Sequence, residues 1–441
     1  MINIIGGGLA GCEAANYIAN KGIKVKLYEM KPNKKSPAHH SDKLCELVCS
    51  NSLKGMRMSN ACGLLKEEIR LLGSICMEAA EISKVPAGDA LAVDREIFSS
   101  YITKKILSNK NIEVISEEIT SIPSGITIIA TGPLTSEGLA SSISELLEED
   151  SLFFYDAAAP VVSADSIDMS TCYKMARYGK GEDDYINCPF TKEEYEIFYN
   201  ELINANLAPL KEFESNEKLK VFEGCMPVEV MAKRGLQTLL FGPMKPVGLP
   251  DPITGREYHA VVQLRQENSE ASMYNLVGFQ TNLTFGEQKR VFSLIPGLKN
   301  AEFLRYGVMH RNTYINSPEN LKPTNQLNKN PDIFFAGQIT GVEGYVESMA
   351  SGILAGINAL KYLNNEPLLE FPKETALGSL LSFITTKLPK GTFQPMNMNF
   401  GLLPKLSVRI KSKQERYEKV ADIAINKMKE FLEEQHILGE K

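Results

Sequence analysis

Apolar and polar positions at the head of the chain follow two rhythms. Ile2 to Ile5 is a short unbroken apolar run, Leu9 to Lys21 repeats at helical spacing, and Lys24 to Glu29 alternates in twos. Together they predict a strand–helix–strand start. Helical spacing returns through Leu64, Leu65, Ile69, Leu72, Ile75 and Cys76, and again after Asp94 through Phe98, Ile102 and Ile106, with Asp94 a suitable N-cap. Ile126 to Ala130 reads as a strand buried on both faces, and it runs into the turn Thr131-Gly132-Pro133.

The rhythm changes near residue 155. Strand-like runs follow at Thr238–Phe241, Ala260–Leu264, Asn275–Phe279 and Phe303–Met309, cut by Gly/Pro turns and one helix from Thr191 to about Ala205. Asp332 to Ala336 then restores a buried strand, a glycine-studded helix covers about Val342 to Leu363, and a last helix spans about Lys411 to Glu434. The expected fold class is α/β. A Rossmann-like domain formed by 1–155 and 328–441 is split by an inserted α+β domain at 156–327, and Asn325 to Asn330 is the returning linker.

Composition narrows the class. With 441 residues, 43% hydrophobic and 23% charged, the chain suits two or three globular domains and not a disordered or fibrous protein. No apolar run reaches the roughly 18 residues of a membrane span, and MINIIGGGLAG has no basic leader region, so no membrane partner is expected. The eight cysteines form no Cys-x-x-Cys pair, which fits a reducing cytoplasm better than a secreted disulfide framework. No histidine or cysteine cluster has ligand spacing, so no metal is expected.

Gly6-Gly7-Gly8-Leu9-Ala10-Gly11 contains Gly-x-Gly-x-x-Gly between the first strand and helix. Such a loop turns tightly, lets backbone approach a pyrophosphate and packs helix on strand, while the helix N-terminus offers N–H groups to the anion. Glu29 ends the second strand 18 residues beyond Gly11, where a carboxylate can accept from ribose hydroxyls. An acid there favours FAD or NAD over NADP. Two further strand–glycine units select FAD: Ile128 to Gly132, with Thr131 and Gly132 at the turn, and Phe335-Ala336-Gly337-Gln338, leading through Gly341 into the long helix. Gln338 stands where split-domain flavoproteins commonly carry Asp, and its amide can still bond a ribityl chain. No second Gly-x-Gly-x-x-Gly is present, so a nicotinamide reductant would dock transiently.

A more specific likeness runs almost end to end. Leu47-Val-Cys-Ser-Asn-Ser-Leu53, Val85-Pro-Ala-Gly-Asp-Ala-Leu-Ala-Val-Asp-Arg95, Arg177-Tyr-Gly179, Phe222-Glu-Gly-Cys-Met-Pro227, Phe241-Gly-Pro-Met-Lys-Pro-Val-Gly248, Val262-Gln-Leu-Arg-Gln266, Tyr306-Gly-Val-Met-His-Arg-Asn-Thr-Tyr314 and Ala336-Gly-Gln-Ile-Thr-Gly341 stand in one order. In these blocks the chain resembles the folate- and FAD-dependent tRNA (uracil-5-)-methyltransferases (TrmFO), relatives of the GidA/MnmG flavoproteins. The resemblance implies FAD, methylenetetrahydrofolate as donor, NADH or NADPH as reductant, and tRNA as substrate. In that chemistry reduced FAD accepts the methylene, passes it to carbon-5 of a T-loop uracil and reduces it to methyl.

Carbon-5 of uracil becomes nucleophilic only after addition at carbon-6, and a thiolate is both a good nucleophile and a good leaving group. By resemblance Cys225 is that nucleophile. Cys49 matches the family's second functional cysteine, which assists proton removal from carbon-5 or steadies the methylene-flavin. Cys12, Cys45, Cys62, Cys76, Cys172 and Cys188 read as buried core thiols. His310, followed by Arg311, matches the histidine that stacks on the pterin of folate. Alternatives remain: the same chemistry on ribosomal RNA, a small-molecule FAD oxidoreductase, or a non-catalytic FAD-bearing RNA-binding scaffold.

The net charge of −6 argues against a general nucleic-acid coat, yet it averages unlike regions. Between 405 and 419 a local +4 gathers Lys405, Arg409, Lys411 and Lys413 with Arg416 and Lys419, a candidate RNA contact. Lys31, Lys34 and Lys35 form a second basic spot. A monomer or weak dimer is expected.

Overall fold

Five parallel strands form the sheet that the opening rhythm predicts. In the computed structural model, which describes residues 1–36, 38–149, 152–180, 182–208, 226–307, 309–387, 393–408 and 410–437, β1 (Ile2–Ile5) leads through α1 (Leu9–Asn20) to β2 (Val25–Glu29). The sheet order is Ile333–Phe335, Thr127–Ile129, β1, β2, Ile112–Ser116. Successive residues of a strand face opposite ways, so the apolar runs serve two cores at once. Ile2, Ile4, Ile128 and Phe334 enter a core shared with α1 and the helix Tyr345–Leu363. Ile5, Ile129, Ile333 and Phe335 enter another, with Leu139, Ile143 and Leu147 of the helix Glu137–Leu147.

β1 has parallel neighbours on both sides, β2 and Thr127–Ile129, which makes its carboxyl end a topological switch point. α1 and the helix Tyr345–Leu363 meet there almost backbone to backbone. A Cβ on Gly352 would overlap the main chain of Ala10, one on Gly356 would lie 3.0 Å from Cα of Ala14, and one on Gly337 2.9 Å from Cβ of Ala10. These small residues carry the N-terminal ends of both helices to the same sheet edge.

The insertion is a six-stranded antiparallel sheet ordered Tyr173–Lys174, Ile186–Phe190, Ala260–Gln266, Met273–Leu276, Val161–Ser163, Phe303–Arg305. Its own core joins Phe190, Tyr195, Phe198, Phe279 and Phe292, with helices Lys192–Ile203 and Phe285–Phe292 alongside. The strands 152–157 and Met309–Tyr314 pair antiparallel as a separate ribbon. Among the described residues no helix is long and apolar enough to cross a membrane.

Several expected elements changed form. The apolar spacing from Leu64 to Cys76 belongs to two helices, Ala61–Leu71 and Ile75–Ile82. Gly73 takes φ +75° between them and Ser74 caps the second, its hydroxyl accepting from Met77 N–H. Buried Glu13 adds to that cap by accepting from Ile75 and Cys76 N–H at 3.2 and 3.0 Å, and burial pushes its carboxyl up to about 7. Thr238–Phe241 is a 3-10 helix instead of a strand. The run Phe303–Met309 breaks after Arg305, and pairing resumes at Met309 in the other ribbon. Asn325 to Asn330 is no loose linker: Asn325 is buried at φ +62° and donates to Ser351 Oγ at 2.9 Å, and Leu327 lies wholly in the core.

Candidate active site

The loop Gly6–Gly11 is shaped by two close approaches and one open position. Gly6 takes φ +106°, and a Cβ there would lie 2.6 Å from the Ala130 carbonyl oxygen. A Cβ on Gly11 would overlap the Gly6 carbonyl oxygen, while one on Gly8 would meet nothing within 4 Å. Gly8 is the N-cap of α1 and no side chain caps that end. Its backbone therefore faces open space at a helix N-terminus, the geometry a pyrophosphate needs. Glu29 closes the floor, with Oε2 accepting from Gly7 N–H at 2.9 Å and Oε1 from Lys31 N–H at 3.0 Å. A carboxylate has about four acceptor sites, so ribose hydroxyls can still be received. These residues fit an FAD adenosine half.

A second rim faces it. Gly132 has φ +65° and an open Cβ position, and the Thr131 hydroxyl pairs with that of Thr135 at 2.7 Å. Gly337 and Gly341 take φ +77° and +85°, and Gln338 Nε2 donates to Glu343 Oε2 at 2.7 Å, so the amide that replaces the customary Asp is held by a neighbour. Gly344, at φ +124°, caps the long helix without a side-chain bond. Buried Glu347 in the first turn pairs with Lys54 Nζ at 3.0 Å and accepts from Met398 N–H at 3.1 Å.

Cys49 is half-buried at this rim. Tyr345, the first residue of the long helix, accepts from Cys49 N–H at 2.8 Å and Ser50 N–H at 3.1 Å. Burial, followed by the nearby Cys49, pushes the Tyr345 phenol up, which keeps it neutral. Arg95 Nη2 reaches the Cys49 carbonyl at 3.3 Å, and its Nε pairs with Glu267 Oε2 at 2.8 Å. Arg265 Nη2 reaches Ser50 Oγ at 2.8 Å and Nε reaches Asn51 Oδ1 at 3.0 Å. Asn51 in turn donates to the Gln266 carbonyl at 2.9 Å. The Cys49 loop is thus fastened to the parallel-sheet region and to the insertion together. Sequence reasoning missed Tyr345, Arg265 and Glu267. Arg95 and Arg265 lay inside the quoted blocks, but only the fold brings them to Cys49.

The remaining predicted residues divide. Cys225 and Arg409 lie outside the described residues. His310 and Arg311 are described by backbone alone, opposite Asp156 and Tyr155 in the ribbon. Cys12, Cys45, Cys62, Cys76 and Cys188 are buried as expected, and Cys172 is half-buried with Sγ 3.5 Å from that of Cys188. Burial pushes the Cys62 thiol up to about 11. The second basic spot is no free patch. Lys31 is buried and donates to the Lys43 carbonyl, Lys34 pairs with Glu118 at 2.7 Å, and Lys35 with Asp42 at 2.6 Å.

Lys405, Lys411 and Lys413 are exposed. Lys413 Nζ lies 5.5 Å above the Tyr417 ring, and Tyr417 stacks on Phe400 at 4.3 Å. A cleft of about 430 Å³ lined by Asn60, Lys180, Lys413 and Tyr417, and by Arg57 paired with Asp89 at 2.9 Å, adjoins them. Cations interleaved with an aromatic suit a single-stranded nucleic acid. The double variant Lys411→Glu/Lys413→Glu is expected to weaken tRNA binding and lower the slope of log K against log salt by about 2. An unchanged slope in a salt titration removes these lysines from the interface.

A parallel dinucleotide sheet with a glycine cradle at its switch point and an antiparallel insertion define the split-domain flavoprotein class. The family described as glucose inhibited division protein A, GIDA, matches residues 1–367. The solved structure of Aquifex aeolicus GidA covers 100% of this chain and 74% of its own, with TM-score 0.72 and 20% identity, a likeness of fold. Methylenetetrahydrofolate–tRNA-(uracil-5-)-methyltransferase TrmFO of Listeria monocytogenes is 58% identical over 433 residues, 98% of this chain and 99% of that protein. Its counterpart in Acetivibrio thermocellus is 59% identical over 432 residues, 98% of each. The chain belongs to the GidA-related TrmFO family, as the sequence blocks implied.

Proposed function

We propose that this chain forms 5-methyluridine in the T-loop of tRNA, with methylenetetrahydrofolate as donor, FAD as bound cofactor and NADH or NADPH as reductant. The observation that carries the reading is Cys49, held by Tyr345 at the mouth of a cradle whose Gly8 backbone and Glu29 carboxylate fit FAD. Bound FAD supplies the reducing equivalents and the carrier for the one-carbon unit. The chain's part is to place and activate the uracil. Cys225 adds at carbon-6, which raises electron density at carbon-5. By resemblance Cys49 takes the carbon-5 proton or steadies the carried methylene, and Arg95 Nη2 lies 3.3 Å from the Cys49 carbonyl oxygen. His310 and Arg311 hold folate, the histidine stacking on its pterin. Such positioning acts as a proximity effect.

The division at 156 and 327 belongs to the same proposal, the insertion forming one wall of the folate and uracil pocket. A cytoplasmic setting follows from the thiols and the tRNA substrate. The test is incubation with labelled methylenetetrahydrofolate, NADH and either tRNA or ribosomal RNA transcripts. Label at one T-loop uridine is the expected result. Label only in ribosomal RNA changes the substrate, and label in neither refutes the methyltransferase reading.

A further inference from the structure

One guanidinium near Cys49 has no use in the interactions described so far. Arg305 ends the strand Phe303–Arg305, and its Nε and Nη2 are both shielded from solvent and without any hydrogen-bond partner. Those two atoms form the side-on edge of the guanidinium, a fork whose spacing matches two oxygens of a phosphate or carboxylate. Arg95 shows the same edge filled. Its Nε meets Glu267 Oε2 at 2.8 Å and its Nη2 meets Oε1 at 3.4 Å. Glu267, the carboxylate that acts on Arg305, is therefore already engaged by Arg95.

Burial, and then the like charge of Arg95, push Arg305 down to about 10, so it stays a cation at neutral pH. A buried cation with two unspent donors is costly to keep, and the fold gains nothing from it without an anion. We propose that the Nε/Nη2 fork of Arg305 is the seat of a backbone phosphate adjoining the target uridine.

This rests on the uracil-methyltransferase reading, which brings a pyrimidine to Cys49. A nucleotide carries its phosphate one sugar away from the base. A folate carries its carboxylates beyond a whole p-aminobenzoyl unit. Arg95 and Glu267, the charges that act on Arg305, are paired with each other at 2.8 Å, and Arg95 reaches the Cys49 carbonyl at 3.3 Å, so the phosphate one sugar from the pyrimidine is the nearer anion. A bidentate phosphate here would also fix the rotation of the nucleotide, and so which ring atom faces the thiols.

The test is a binding cycle on the FAD-loaded protein without folate. Wild type, Arg305→Met and Arg305→Lys are titrated with a T-loop RNA hairpin having either native linkages or a neutral methylphosphonate on each side of the target uridine in turn. Arg305→Met is expected to weaken binding of native RNA about tenfold and to lower the salt slope by about 1. One of the two methylphosphonates should cost wild type a similar factor and cost the variant nothing further, since the two changes remove the same contact. Arg305→Lys keeps the charge and loses the fork, so it should fall between, and it decides the matter if Arg305→Met fails to fold.

Fully additive losses at both positions overturn the proposal. So does unchanged RNA affinity with a raised KM for methylenetetrahydrofolate polyglutamates, which would give the fork to a carboxylate. Loss of bound FAD in Arg305→Lys would give it to the cofactor and overturn the proposal equally. Non-additivity without any folate-dependent methylation would sustain the phosphate seat while the methyltransferase reading fell.

Discussion

Gly8→Ala is expected to yield a folded protein that has lost its flavin, whereas Gly11→Ala loses both flavin and stability. The two glycines sit three residues apart in one motif, and the structure gives them different tasks. At Gly8, φ is −81° and the new methyl meets nothing within 4 Å, so backbone and core are undisturbed. With FAD stripped from both proteins, its thermal midpoint should match or slightly exceed that of wild type, because alanine restricts the unfolded chain, an effect of about 0.4–1 kcal/mol. The methyl occupies the space through which a pyrophosphate approaches the α1 N-terminus, so FAD affinity should fall by roughly 10- to 100-fold, about 1.4–2.7 kcal/mol. At Gly11 the methyl overlaps the Gly6 carbonyl, and α1 can move aside only by displacing the helix Tyr345–Leu363 against which it lies. Overpacking of that kind costs about 1–3 kcal/mol or more. Thermal melts and flavin absorbance of the two purified variants separate the effects. Equal loss of midpoint in both would mean that Gly8 is a packing residue and that the open cradle is not the cofactor seat.

The second large effect is expected at the two thiols. Cys49→Ala should retain FAD and its thermal midpoint, because the hydrogen bonds from the Cys49 and Ser50 N–H groups to Tyr345 are backbone bonds that alanine keeps. Folate-dependent methylation should nevertheless fall by about 10³-fold or more, a rise of roughly 4 kcal/mol in the barrier. Cys225→Ala should also retain FAD and should form no covalent adduct with RNA containing 5-fluorouracil, since no other thiol is assigned to carbon-6. Cys49→Ala should still trap that RNA. An undiminished adduct in Cys225→Ala, joined to its loss in Cys49→Ala, would exchange the two roles. Turnover near wild type in either variant would remove that cysteine from the chemistry.

The first strand–helix–strand unit was legible because its periodicities change from unbroken apolar to helical to alternating within thirty residues, and its glycines sit at a strand end. Asp94 was legible as a cap for the same local reason: its side chain accepts from Glu96 and Ile97 N–H in the adjoining turn. The break at Gly73-Ser74 was not. Apolar spacing continues across it, and only the caps supplied by Ser74 and distant Glu13 separate the two helices. Thr238–Phe241 carries β-forming residues, yet it closes as a 3-10 helix whose Leu239 is fully buried in the insertion's core.

Charge was the least legible property. Lys31, Lys34 and Lys35 make a basic cluster in sequence, and each is met in space by an acid from elsewhere: Glu46 at 3.6 Å, Glu118 and Asp42. Three lysines were spent on local structure. Conversely, nothing around Arg305 in sequence marks it as unpaired, since Glu302 stands three positions away and Glu267 is near it only in the fold.

By itself the sequence determined the family, the α/β class and the dinucleotide loop, and it singled out Cys49 and Cys225 as the candidate thiols. These are written in local spacing and in blocks whose order needs no coordinates. Only the tertiary structure decided which side chains surround Cys49. Tyr345, Arg95 and the Arg265–Glu267 segment come from three separate stretches, and they meet because α1 and the long helix press together through glycine and alanine while the insertion leans on the Cys49 loop. Pairing of charges depends on distance and burial, which are set when the cores close, and local spacing carries no record of either.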